Sequence, residues 1–115
     1  MVDGERYASL MRQQLDKLLP RSQLELFCRR WRIQELAVFG SVLREDFQPK
    51  SDLDVLVTFA EDADWEVEDR LTMREELEAL AGRRVDLIER RLIESSPNWI
   101  RREEILDHAE PLYVA

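Results

Sequence analysis

The segment Asp52-Leu53-Asp54-Val55-Leu56-Val57-Thr58-Phe59 restricts this chain more than any other. Side chains on a strand alternate faces with a period of two. Leu53, Val55, Val57 and Phe59 therefore point one way, into a core, while Asp52 and Asp54 share the other face. Like charges ~4 Å apart repel by on the order of 4 kcal/mol at an effective dielectric near 20. A proton or a bound cation relieves that repulsion. Arg84-Val85-Asp86-Leu87-Ile88 repeats the alternation, with Asp86 opposite in sense to Val85 and Leu87. If the two strands are neighbours in suitable register, Asp86 comes within reach of Asp52 and Asp54, because directly opposed Cβ atoms sit roughly 5 Å apart. Three converging carboxylates form a hard oxygen site, the kind Mg²⁺ occupies alongside substrate phosphates. Two such ions ~4 Å apart stabilise the attacking and leaving oxygens of a phosphoryl displacement.

The rest of the chain supplies a frame for these strands. Tyr7, Leu10, Met11, Leu15, Leu18 and Leu19 fall at helical spacing, and Pro20 ends that helix. Ser22 with Glu25 reads as a capping box opening a second helix, whose apolar stripe is Leu24, Phe27, Cys28 and Trp31. Glu35 to Phe39 reads as a strand running into Gly40-Ser41. Asp64 is placed to cap a helix that carries Met73, Leu77, Leu80 and Ala81 and ends at Gly82. Ser96 and Pro97 suit the cap and first position of a last helix, which holds Ile100 and Leu106 and ends near His108. Leu112-Tyr113-Val114 reads as an edge strand or a docked end. The expected fold class is α/β (α+β): a small mixed sheet covered by helices in a two-layer arrangement, forming one domain over 1–115.

A phosphate-binding feature lies upstream of the acidic strand. Gly40 lets backbone N–H groups approach a ligand, Ser41 adds a hydroxyl, and a helical turn beginning at Val42 offers its positive end. Ser51 adds a second hydroxyl just before Asp52, and Arg44 a positive charge. Arg44 is equally suited to pairing with an acidic neighbour. An isolated Asp-x-Asp is ordinarily a solvated strand face and an isolated Gly-Ser an ordinary turn. Here the order and spacing of the pieces, with Asp86 on a separate alternating strand, carry the argument.

Charge and composition exclude other classes. The 115 residues hold 25 acidic against 17 basic side chains, a net charge of −8. So acidic a chain is a poor general binder of nucleic acid, and no direct nucleic-acid binding is expected. It suits a metal cation or a basic partner instead. Cys28 is the only cysteine, so no intramolecular disulfide forms and the cytoplasm is the expected location. There is neither a signal-peptide apolar run nor a stretch long enough to span a membrane. His108 reads as a helix C-terminal residue favoured by the dipole. Trp31, Trp65 and Trp99 read as core or interface anchors. Arg83-Arg84 and Glu89-Arg90-Arg91 read as a solvated face, with an arginine near Asp86 available to steady phosphates.

Gly40-Ser41-Val42-Leu43-Arg44, Asp46-Phe47, Ser51-Asp52-Leu53-Asp54 and Arg84-Val85-Asp86-Leu87-Ile88 together resemble the minimal nucleotidyltransferases of the DNA polymerase beta superfamily. The signature of that family is a Gly-Ser, a spacer of about ten residues, an Asp-x-Asp and a later lone Asp, and the motif core covers residues 35–90 here. The resemblance implies that Gly40 and Ser41 hold a nucleoside triphosphate, with Ser51 assisting and Arg44 within the motif. It implies that Asp52, Asp54 and Asp86 ligate two Mg²⁺ ions, with Asp86 also acting as general base. Members of this group are similar to antitoxins whose partner is a HEPN-domain RNase toxin. The implied reaction is transfer of AMP from ATP to a tyrosine hydroxyl of that toxin. Larger nucleotidyltransferases present the acceptor on an extra helical domain, and this chain leaves no residues for one. The acceptor is therefore expected on a partner, and the acidic surface suits a basic RNA-cutting protein. The alternative is an antitoxin that neutralises its partner by complex formation alone. A sugar-nucleotide transferase using Asp-x-Asp is disfavoured, because its usual nucleotide-binding domain is larger than this chain.

Overall fold

The computed structural model describes residues 4–115, with the side chains of residues 4, 5 and 7 left aside, so the assignment of Tyr7 to the first apolar stripe lies outside the described residues. Helices α1 (Gly4–Leu18) and α2 (Arg21–Arg30) precede strand β1 (Ile33–Phe39). A 3-10 turn over Gly40–Leu43 and a loop lead to β2 (Leu53–Phe59). Then come α3 (Val67–Ala81), β3 (Val85–Glu89), α4 (Arg90–Glu94), α5 (Trp99–His108) and β4 (Glu110–Val114). The strands form one mixed sheet in the order β3-β2-β1-β4. β1 runs antiparallel to both β2 and β4, while β2 and β3 are parallel, joined by the α3 crossover.

Both faces of the sheet are covered, which corrects the two-layer expectation. Leu36 and Val38 of β1, with Leu53, Val55 and Val57 of β2, form one core with Leu24, Phe27 and Cys28 of α2 and Met73 and Leu77 of α3. On the other face Ala37, Phe39 and Leu56 pack beneath Ile93 of α4 and Ile105 of α5. The face that begins with the aspartates is thus apolar further along. Cys28 is fully buried, and burial pushes its thiol up to about 12. Trp31 and Trp65 meet edge to face at 5.1 Å between ring centres. The Trp31 indole N–H donates to Glu76 at 2.6 Å, tying α2 to α3.

Several element ends differ from expectation. α2 begins at Arg21 with Pro20 as its cap residue, so Ser22 lies inside the helix and the Ser22–Glu25 capping box does not form. The pinned φ of Pro20 is compatible with that flanking position. Asp64 does not cap α3. The helix starts at Val67, and the Glu66 N–H donates to the Asp69 carboxylate at 2.9 Å. Asn98, not Ser96, caps α5, accepting from the Arg101 N–H at 3.2 Å. Leu10 is exposed rather than packed. The short α4 was not anticipated, and the tail is an edge strand paired with β1. Trp99 lies exposed on α5. No helix among the described residues is long and apolar enough to cross a membrane.

Candidate active site

The register of the sheet builds the site. Asp54 faces Asp86 directly across the parallel β2–β3 pair. Phe39, the last residue of β1, pairs with Asp54 on its other side. The next residue, Gly40, turns sharply at φ 75° into the 3-10 turn. A Cβ at Gly40 would collide with the Asp54 carboxylate Oδ2. Only glycine combines that backbone angle with so close an approach. The Gly-Ser turn and the acidic strand are therefore one structure, pressed together by the β1–β2 ladder.

Asp54 is half-buried, and its carboxyl pKa is raised. Loss of hydration is the largest cause, followed by the charges of Asp86 and Asp52, with Arg44 and Arg101 acting in the opposite direction. Asp86 is exposed. Asp52 lies just before β2, with its Oδ1 3.5 Å from Arg84 Nε. Among the described residues no three His, Cys, Asp or Glu side chains are gathered closely enough to hold a metal ion. The donor chemistry nevertheless fits a hard cation. Two carboxylates stand opposed on neighbouring strands, a third lies two residues away, and one of the three is under excess negative charge that a cation would relieve.

The remaining sequence-nominated residues take the following places. Ser41 sits in the 3-10 turn, where its carbonyl accepts from the Arg44 N–H at 2.9 Å. Arg44 Nε lies 3.3 Å from Asp46, and the side chain also lines a cavity with Gly40. The Ser51 hydroxyl accepts from the Gln48 N–H at 3.0 Å, within the loop that delivers Asp52. That loop is fastened by Arg83, which was read as part of a solvated face. The Arg83 guanidinium lies 4.3 Å from the Phe47 ring centre and donates to the carbonyls of Gln48 and Ser51 at 3.0 and 3.1 Å. Glu89 is likewise not solvated. It is buried between Arg70 and Arg91, remote from the aspartates at the far end of β3.

Arg101 was not singled out in the sequence. It joins Phe39, Gly40, Leu43, Arg44 and Ile105 around a cavity of about 380 Å³. His108 also lines it, its Nδ1 2.9 Å from the Glu104 carbonyl oxygen. No local pattern could have placed α5 against the Gly40 turn, since that contact rests on Ile105 meeting Phe39 beneath it.

The chain belongs to the nucleotidyltransferase domain family, which it matches over residues 20–112, a span that includes the sheet, the Gly40 turn and the three aspartates. It is a nucleotidyltransferase. Its relatives include the protein adenylyltransferase MntA of Thermococcus cleftensis, 36% identical over 81 residues, covering 70% of this chain and 79% of the relative. A solved minimal nucleotidyltransferase is 33% identical, with a TM-score of 0.60 and coverage of 92% of this chain and 95% of that one. A toxin–antitoxin crystal structure with AMP-PNP shares the fold at a TM-score of 0.62 and 18% identity, covering 84% of this chain and 75% of that one.

Proposed function

We propose that the protein transfers AMP from ATP to a hydroxyl, that of a tyrosine, on a HEPN-domain toxin, and so acts as the antitoxin of a two-component pair. The observation carrying this reading is the direct opposition of Asp54 and Asp86, with Gly40 packed against Asp54. Support for a protein acceptor comes from the relative named as a protein adenylyltransferase, and support for a toxin partner from the toxin–antitoxin neighbours.

Asp52, Asp54 and Asp86 would hold Mg²⁺, two ions in the full site, and the metal would neutralise charge on the phosphate oxygens. The chain itself does the rest. Backbone N–H groups of the Gly40–Ser41 turn bind triphosphate oxygens, and no side chain at Gly40 obstructs them. Arg83 holds the loop that presents Asp52. Asp86, the more open of the opposed pair, takes the proton from the acceptor hydroxyl. The hydroxyl oxygen forms a bond to the α-phosphorus, the bond from that phosphorus to the bridging oxygen breaks, and pyrophosphate departs.

The test incubates the protein with α-labelled ATP, Mg²⁺ and a HEPN-domain partner. Label is expected on the partner, and it should be lost with Asp54→Asn, with Asp86→Asn and with chelator. A partner neutralised equally well by Asp54→Asn would replace this reading with neutralisation by binding alone. Label appearing only on nucleic acid would overturn the protein acceptor.

A further inference from the structure

The cavity beside the aspartates is closed on one side by α5. This helix is firmly seated: Asn98 caps it through the Arg101 N–H, and Ile105 is buried against Phe39 and Ala37. Arg102 adds a bond to the Ser96 carbonyl at 3.0 Å. Arg101 is thus carried on a fixed first turn rather than on a loop. The neighbouring arginines are committed, Arg44 to Asp46, Arg84 to Asp52 and Arg83 to loop carbonyls. Arg101 makes no ion pair among the described residues, and it lines the cavity together with Gly40, the residue packed against the Asp54 carboxylate. Arg44 lines the same cavity.

In a chain of net charge −8, two guanidinium groups converging on one cavity are a local reversal of sign. Phe39, Leu43 and Ile105 make the rest of its wall apolar. Glu104 also lines it, leaving Arg44 and Arg101 as the side chains that would receive a polyanion. An apolar wall with two arginines in it suits a nucleoside carrying several phosphates. A guanidinium forks two hydrogen bonds onto phosphate oxygens and, unlike ammonium, offers them in a fixed plane.

We propose that Arg101 binds the terminal phosphates of the nucleotide from the side facing the Gly40–Ser41 turn, which makes α5 a wall of the nucleotide site. This role rests on the transfer reading above, because it presumes a triphosphate substrate. Its charge holds the phosphates that leave as pyrophosphate. Arg101 therefore matters for a triphosphate and little for a monophosphate.

The experiment measures equilibrium binding of ATP and of AMP, in Mg²⁺ and without any acceptor. It compares the wild-type chain with Arg101→Ala, Arg101→Lys and, as a control on the exposed side of α5, Glu103→Gln. Arg101→Ala should weaken ATP binding about tenfold, a loss of one or two charge-assisted contacts. AMP binding should stay within about twofold, Arg101→Lys should recover part of the loss, and Glu103→Gln should be silent. Equal losses for ATP and AMP would make Arg101 a mere wall of the cavity and overturn the role. Unchanged ATP binding by Arg101→Ala would overturn it too, while leaving the transfer reading intact. A wild-type chain that binds no triphosphate would overturn both. Binding without transfer in the labelling experiment would defeat the transfer reading and, with it, the hold on departing pyrophosphate, while a preference of Arg101 for ATP over AMP would still be read from the binding data.

Discussion

Asp54 bears a charge that the folded chain resists. Its carboxyl is raised by burial, then by Asp86 and Asp52, so the folded state holds that proton more tightly than the unfolded state does. The linkage therefore works against the fold as pH rises from the ordinary carboxylate range through the raised value. Asp54→Asn removes the cost. Its melting temperature should exceed that of wild type by roughly 1–3 °C at pH 7, and the gain should vanish in acid below the ordinary carboxylate range. Thermal melts at pH 7 and pH 3 in chelator check both halves; a gain that persists in acid would locate its origin elsewhere. Added Mg²⁺ should narrow the gap by raising the wild type. Asp52, Asp54, Asp86 and Gly40 were legible because strand alternation and a glycine before a turn are local signals. Arg83 and Arg101 were not. A run such as Arg83-Arg84 has the same appearance whether it is solvated or stacked on Phe47, and only the tertiary fold decides.

At the scale of elements, the two left-handed glycines separate geometry from chemistry. Gly40 ends β1 at φ 75° against Asp54, while Gly82 ends α3 at φ 68° with open space around its missing side chain. Gly82→Ala should cost about 1 kcal/mol and leave nucleotide transfer intact. Gly40→Ala should cost about 1–3 kcal/mol and abolish transfer, because it displaces the carboxylate as well as straining the turn. Urea melts paired with the labelling assay separate the two cases. Helix ends were the least legible elements. Ser22 and Asp64 are sound capping types, but Pro20 and Glu66 occupy the positions where the chain actually turns. α4 has only Ile93 to bury, too little to leave a periodic trace.

The whole molecule places its C-terminal strand on the outer edge of β1. An edge left bare is a template for pairing with another chain. Removing residues 109–115 should lower the melting temperature and make the protein associate as its concentration rises, which light scattering would detect. Unaltered monomeric scattering would show that β4 is dispensable as cover. The first three strands were readable in the chain, since each alternates or runs into a turn signal, whereas the mixed sense of the sheet was an expectation carried by the family resemblance. The burial of both faces was not readable, because Leu56 and Ala37 give no sign of which helix will meet them. The parallel β2–β3 pairing has one more consequence. Asp54 and Asp86 are neighbours only through the α3 crossover, a contact between stretches distant in the chain. Such contacts carry a loop-closure cost that slows their formation. A partly folded chain, even with both strands formed, lacks an assembled pair of aspartates, so on the proposed reading a nascent molecule on the ribosome would stay inert until α3 and β3 have emerged and docked.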